Sequence, residues 1–121
     1  MTTSELQATV RRRDGVAVID LSGDLNSSAE DALNDAYARA TSMGTGAVAL
    51  NFERTQYINS TGIALIVGLL AQARANHVQV QAFGLSDHYR EIFEITRLAD
   101  FMTINDDEDR AVSGAEGGHD A

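Results

Sequence analysis

The order in which strand-like and helix-like segments follow one another constrains this chain most. Three short apolar runs of strand length, "AVALNF" (47–52), "VQVQAF" (78–83) and "FMTI" (101–104), each come after a segment with the helical period. Strands separated by helices need crossover connections, which set them parallel in one sheet and turn right-handed. Ahead of them, "LQATVRRR" and "VAVIDL" flank Asp14-Gly15, a dipeptide that accepts the positive φ angles of a tight hairpin turn. The expected order is β-β-α-β-α-β-α-β. It describes an α/β domain built as a right-handed βα superhelix, with a mixed sheet of four to five strands whose hairpin supplies an antiparallel edge.

The helical segments are legible in their spacing. Ala29, Ala32, Leu33, Ala36, Tyr37, Ala40 and Met43 recur at three- and four-residue steps, and Ser27 with Glu30 has the form of a capping box, so a helix is expected over about 28–43. "STGIALIVGLLAQARAN" and "SDHYREIFEITRLA" each open with a Ser suited to satisfying free helix N–H groups. In "VQVQAF" the alternation turns Val78, Val80 and Ala82 to a core and Gln79 and Gln81 to water. One sheet face is then open, and the helices lie mainly on the other.

Composition sets the outer limits. The 121 residues fit one domain, expected over 5–112. The net charge is -9, and all nine basic residues are Arg, so the chain as a whole repels a phosphate backbone and nucleic acid is not an expected partner. Residues 105–121 alone carry six acids against Arg110. "SGAEGGHDA" (113–121) has almost nothing to bury, and its composition predicts a disordered acidic tail. There is no Cys, and the first residues lack the apolar core of a signal peptide, so a cytoplasmic protein is expected. The longest apolar run, Gly62 to Ala71, is far short of the roughly 18 to 20 residues that cross a bilayer, so no membrane span is expected.

Chemistry-bearing residues are few. His77, His88 and His119 are scattered with no i, i+4 pair, and "DDED" (106–109) lacks the Gly and spacing of a calcium loop, reading instead as a solvated acidic helix start; no metal site and no cofactor are expected. Asp20, Asp24 and Ser60 have no His in a context that would activate the Ser, so no enzyme activity is expected. The stretch "TQYINSTGIALIVGLL" (55–70) is different. Ser60 falls at the expected N-cap of a helix beyond the carboxyl end of the sheet, where unpaired N–H groups and about half a positive charge favour an anion. Gly62 has no side chain to obstruct approach, and the apolar residues from Ile63 to Leu70 surround more of the helix than one core stripe requires. Capping alone would equally explain Ser60, with Thr61 in the first turn.

Three segments together resemble a known family, the STAS domain of bacterial anti-sigma factor antagonists. "VAVIDLSGDLNSSAEDAL" resembles the family's strand, Gly-Glu-Leu-Asp turn and first helix. "AVALNFERTQYINSTGIALIVGLL" resembles its strand, Asp-Ser-Ser/Thr-Gly loop and second helix, and "GLSDHYREIFEITRLADFMTINDDEDRAV" resembles its third helix, with a Leu-Thr-Gly-Leu ending, and last strand.

The resemblance implies a partner switch in stress-responsive transcription regulation. The unphosphorylated antagonist binds an anti-sigma factor, often itself a serine kinase, and phosphorylation of a loop Ser ends the binding. Ser60 matches that acceptor and Thr61 the hydroxyl beside it; the implied partner-binding set is Asp24, Asn26, Asn59, Ser60, Thr61, Gly62 and Ile63. Asn26 and Asn59 stand where the family has Asp, which keeps shape and one acceptor oxygen but removes an ion-pairing group. Arg97 stands where the family has a Gly that ends a helix in the left-handed conformation. The alternative function is a STAS module that binds a partner or small anionic ligand constitutively, with Ser60 only a cap.

Overall fold

A computed structural model describes residues 5–117. Five strands, β1 (Gln7–Arg13), β2 (Val16–Leu25), β3 (Ala47–Ile58), β4 (Gln79–Phe83) and β5 (Thr103–Asn105), form one sheet in the order 1-2-3-4-5. β1 pairs antiparallel with β2, and every other neighbour is parallel. The hairpin turns at Asp14, whose φ of 54° is the left-handed value anticipated for the Asp-Gly step. Crossovers α1 (Glu30–Thr41), α2 (Ser60–Ala75) and α3 (Asp87–Ile95) join the parallel strands, and α4 (Glu108–Gly117) follows β5. This is the α/β superhelix that the alternation of segments requires.

The main core lies between the sheet and the first three helices. Ile19, Leu21, Val48, Leu50, Val80 and Ala82 meet Leu33, Ala36 and Tyr37 of α1, Ile66, Leu69 and Leu70 of α2, and Phe93 of α3. The ring of Phe93 stands edge-on to Phe52, with centroids 5.8 Å apart, a favoured aromatic geometry. Each of these residues sits at the position its period assigns, alternate along strands and every third or fourth along helices.

The second sheet face departs from expectation. It is not open: Ala111, Val112 and Ala115 of α4 cover Val16, Val18, Ala47, Ala49 and Phe83. Gln81, expected to face water, is 1% exposed and accepts a hydrogen bond from Asn105 Nδ2 at 2.8 Å. Gly114 lies over it, where a Cβ would come 3.3 Å from Gln81 Oε1, so the lack of a side chain there makes room for the buried amide. The tail expectation is corrected in the same place. Residues 113–117 are helical, because one buried apolar stripe and a capping acid suffice once a sheet face is available; Asp107 Oδ1 accepts from the Arg110 N–H at 2.9 Å. Residues 118–121, expected to be disordered, lie outside the described residues.

An ionic clasp ties the start of α4 to the hairpin. Arg11 Nη2 is 2.7 Å from Glu108 Oε1, and Arg11 Nε is 2.7 Å from Asp20 Oδ2. Arg13 bonds Glu108 at 2.8 Å and also Asp109. The hydrogen bonds from Arg11, helped by Arg13 and opposed by burial, hold the Glu108 carboxyl at about 2. Burial works against the charged form of Asp20, yet bonds from Arg11 and Asn51 outweigh it and keep that carboxyl below its ordinary value.

Candidate functional site

The carboxyl ends of β2 and β3 stand side by side, with Asp24 opposite Tyr57 and Leu25 opposite Ile58. Each strand leads directly into a helical turn. After β2, Asn26 adopts an extended backbone, and its Oδ1 accepts from the Ser28 N–H at 3.0 Å and the Ser28 hydroxyl at 2.7 Å. After β3, Asn59 does the same for α2, accepting from the Gly62 N–H at 2.8 Å. Both departures from the family's Asp are therefore helix caps, a task that needs an acceptor oxygen and no charge.

These caps correct two expectations. Ser60 is not the N-cap of α2 but its first helical residue, because Asn59 precedes it with a cap of equal strength. Likewise Asn26, rather than a Ser27–Glu30 box, caps the turn Ser27–Ala29 that leads into α1. Ser60 is thereby released from local duty. It is exposed, as is Thr61, and neither hydroxyl has a hydrogen-bond partner among the described residues.

The loop is held rigidly beneath these hydroxyls. The Asn59 N–H donates to the Leu25 carbonyl at 3.1 Å, and the Ile58 N–H donates to Tyr89 Oη of α3 at 3.0 Å. Gly62 is buried against Leu25, where a Cβ would fall 2.1 Å from the carbonyl oxygen. Its missing side chain serves the approach of β2 to α2 rather than the approach of a ligand. Ile63, Asp24, Asn26 and Asn59 are half-buried around this junction. Tyr57, 54% exposed beside them, is a surface aromatic that the sequence reading did not single out, because the residues after Phe52 carry no alternation that would mark it.

Elsewhere, Arg97 adopts φ 69° and ψ 15°, so the left-handed ending of the third helical segment is kept without the Gly. Among the described residues there is no cluster of three or more metal-ligating side chains, and no helix is long and apolar enough to cross a membrane.

Comparison with known proteins agrees with this arrangement. The sequence model of a family described as "Mlab, STAS domain" matches residues 8–104. An anti-sigma-B factor antagonist of Staphylococcus aureus (strain NCTC 8325 / PS 47) is 38% identical over 63 residues, 52% of this chain and 58% of that protein; one from Staphylococcus epidermidis is 35% identical over the same length. The matched stretch thus spans under two thirds of those relatives. Among solved structures, an anti-sigma factor antagonist from Mycobacterium paratuberculosis superposes with a TM-score of 0.80 at 16% identity, covering 93% of this chain and 95% of the other. The anti-sigma factor antagonist SpoIIAA in its unphosphorylated form gives 0.70 at 20% identity, covering 91% and 98%, and its phosphorylated form from Bacillus gives 0.66 at 22%, covering 88% and 96%. These structures share the fold, and the family model covers most of the chain: it belongs to the STAS domain family.

Proposed function

We propose that this chain is an anti-sigma factor antagonist, that its partner is an anti-sigma factor with serine kinase activity, and that Ser60 is the phosphate acceptor. The reading extends to a cytoplasmic setting and to a binding surface formed by Asp24, Asn26, Asn59, Ser60, Thr61 and Ile63, with Gly62, expected in that set, buried beneath it. The observation that carries it is the exposed, unbonded Ser60 hydroxyl at the first residue of α2, held by a capped and clamped loop.

The physics of a switch follows from that position. A phosphate there adds about 1.5 to 2 negative charges at a helix N-terminus, where the backbone dipole favours them, so modification leaves the fold intact. The same charge placed against a closely packed partner is left uncompensated and drives it off. The domain performs no chemistry on its own account; its surface is what a partner reads.

A second reading, a constitutive STAS module, is favoured by Asn26 and Asn59, which make caps and offer no carboxylate to a partner's Arg or Lys. One experiment separates the two. Incubation with serine kinases of its own cell and ATP should place one phosphate on Ser60, which Ser60→Ala abolishes, and should weaken anti-sigma factor binding by about 2 kcal/mol or more. Labelling of an Asn26→Asp, Asn59→Asp double variant but not of the wild type would assign the chain to the constitutive class. Binding that ignores both phosphate and Ser60→Asp would remove the switch altogether.

A further inference from the structure

Between the second half of α2 and the turn Leu98–Asp100 lies an almost wholly apolar recess of about 260 Å³, lined by Val67, Leu70, Ala71, Arg74, Leu98 and Phe101. It is open: Val67 is 47% exposed and Phe101 52%. We propose that this recess docks an acidic amphipathic helix of a protein partner, which seats one aliphatic side chain between Val67 and Phe101 and sets a carboxylate against Arg74.

Size, shape and charge each narrow the occupant. Small-molecule sites run from about 300 to 1,000 Å³, so this volume suits a side-chain anchor better than a cofactor. The exposed surface of α2 that leads to it carries Ala64, Gly68 and Ala71, and a Cβ at Gly68 would meet nothing within 4 Å, so a helix backbone can approach without obstruction. Arg74 stands with its guanidinium carbon 5.5 Å from the centre of the Phe101 ring and pairs with no carboxylate among the described residues. Arg97, also on the rim, is already paired with Asp100 at 2.7 Å. Of the two Arg on this rim, Arg74 is therefore the one whose charge no carboxylate among the described residues offsets, and it gives an acidic segment a local, complementary charge to meet.

The recess is separate from the Ser60 junction. At 1.5 Å per residue, Val67 is about 10 Å and Arg74 about 21 Å along the helix from Ser60, so the proposal stands whether or not Ser60 is a phosphate acceptor.

The test uses the full chain, labelled with nitrogen-15, and two stapled helical peptides that share one Leu face but flank it with Glu or with Lys. The Glu peptide should shift the amides of Val67, Ala71, Arg74, Leu98 and Phe101 and bind at least about tenfold more tightly than the Lys peptide. Arg74→Glu should reverse that preference and Phe101→Ala should cost about tenfold, while Ser60→Asp should change nothing. Both altered positions are at the surface, and an otherwise unchanged amide spectrum verifies the fold. Equal affinity for the two peptides, or no shift at these amides, overturns the proposal. Self-association in sedimentation that Phe101→Ala abolishes also overturns it, by giving the recess to a second copy.

Discussion

Gly62 and Leu25 touch backbone to backbone, so closely that any Cβ at position 62 would lie 2.1 Å from the Leu25 carbonyl oxygen and 2.7 Å from its carbon. That oxygen also accepts from the Asn59 N–H, and so it fixes both the loop and the helix start. Gly62→Ala should therefore separate α2 from the end of β2 at a cost of about 2 to 3 kcal/mol, within the range of overpacked cores. Thermal unfolding should show a fall of about 10 °C or more. A variant as stable as wild type would show that this junction is loose and that Ser60 is not held in a fixed place.

Arg97 offers the opposite experiment. Its φ of 69° lies in the left-handed region, which costs a residue with a Cβ roughly 1 kcal/mol. Arg97→Gly removes that cost and forfeits an exposed pair with Asp100, worth little in solvent. Melting should rise by a few degrees. A fall would mean that the Arg97–Asp100 pair, or the stiffness of Arg, outweighs the strain.

The clasp on α4 predicts a pH dependence with a definite sign. Glu108 has its carboxyl lowered from 4.5 to about 2 by Arg11 and Arg13, so between those values the unfolded chain binds the proton and the folded chain does not. The stability it contributes is complete above about pH 5 and is lost as pH falls toward 2. Glu108→Gln should lower the melting temperature at pH 7, and the difference from wild type should shrink steadily on acidification. A difference that stays constant down to pH 2.5 would show that Glu108 acts by packing alone.

The same helix marks where sequence reasoning stopped. The strand and helix alternation was legible because Ile19, Leu50, Val80 and the apolar faces of α1 and α2 repeat with clean periods. The stripe of α4 is only Ala111, Val112 and Ala115, set among acids and glycines, and its composition alone resembles a solvated tail. The signal lay elsewhere, in the unexplained apolar partners Val16, Val18, Ala47, Ala49 and Phe83 on the second sheet face, which no other segment could cover. β3 likewise runs on to Ile58, six residues past the apolar run 47–52 that marks it in the sequence. Its polar continuation is held in the sheet by β2, with Ser22 opposite Arg54 and Gly23 opposite Thr55, a pairing that no local pattern encodes. Ser60 was legible as exposed and special, but not as uncapping, because Asn59 and Ser60 are comparable caps and only the backbone angles choose between them.

Ending the chain after Val112 turns the α4 correction into a measurement. It removes Ala115 from the face it covers and leaves Glu108 to Val112 as little more than one turn, too short to hold itself. Melting should drop by about 5 °C or more, and a dye that reports exposed apolar surface should bind beside Phe83. A truncated chain with unchanged stability would return residues 113–117 to the status of a tail.

Asn59 and Ser60 make the most direct test of how the site is built. If Asn59 is the cap, Asn59→Ala deletes the acceptor for the Gly62 N–H and should cost about 1 to 2 kcal/mol, lowering the melting temperature by about 5 to 10 °C. Ser60→Ala removes a hydroxyl with no partner among the described residues and should leave melting unchanged within about 2 °C. Asn59→Asp keeps the acceptor and adds a charge that the helix start favours, so it should match or slightly exceed wild type at neutral pH and lose that margin once the carboxyl is protonated. The reverse pattern, with Ser60→Ala costly and Asn59→Ala mild, would put the Ser60 hydroxyl to work inside the fold. A hydroxyl so employed is not free to accept a phosphate, because the modification would then destroy the helix start that positions it.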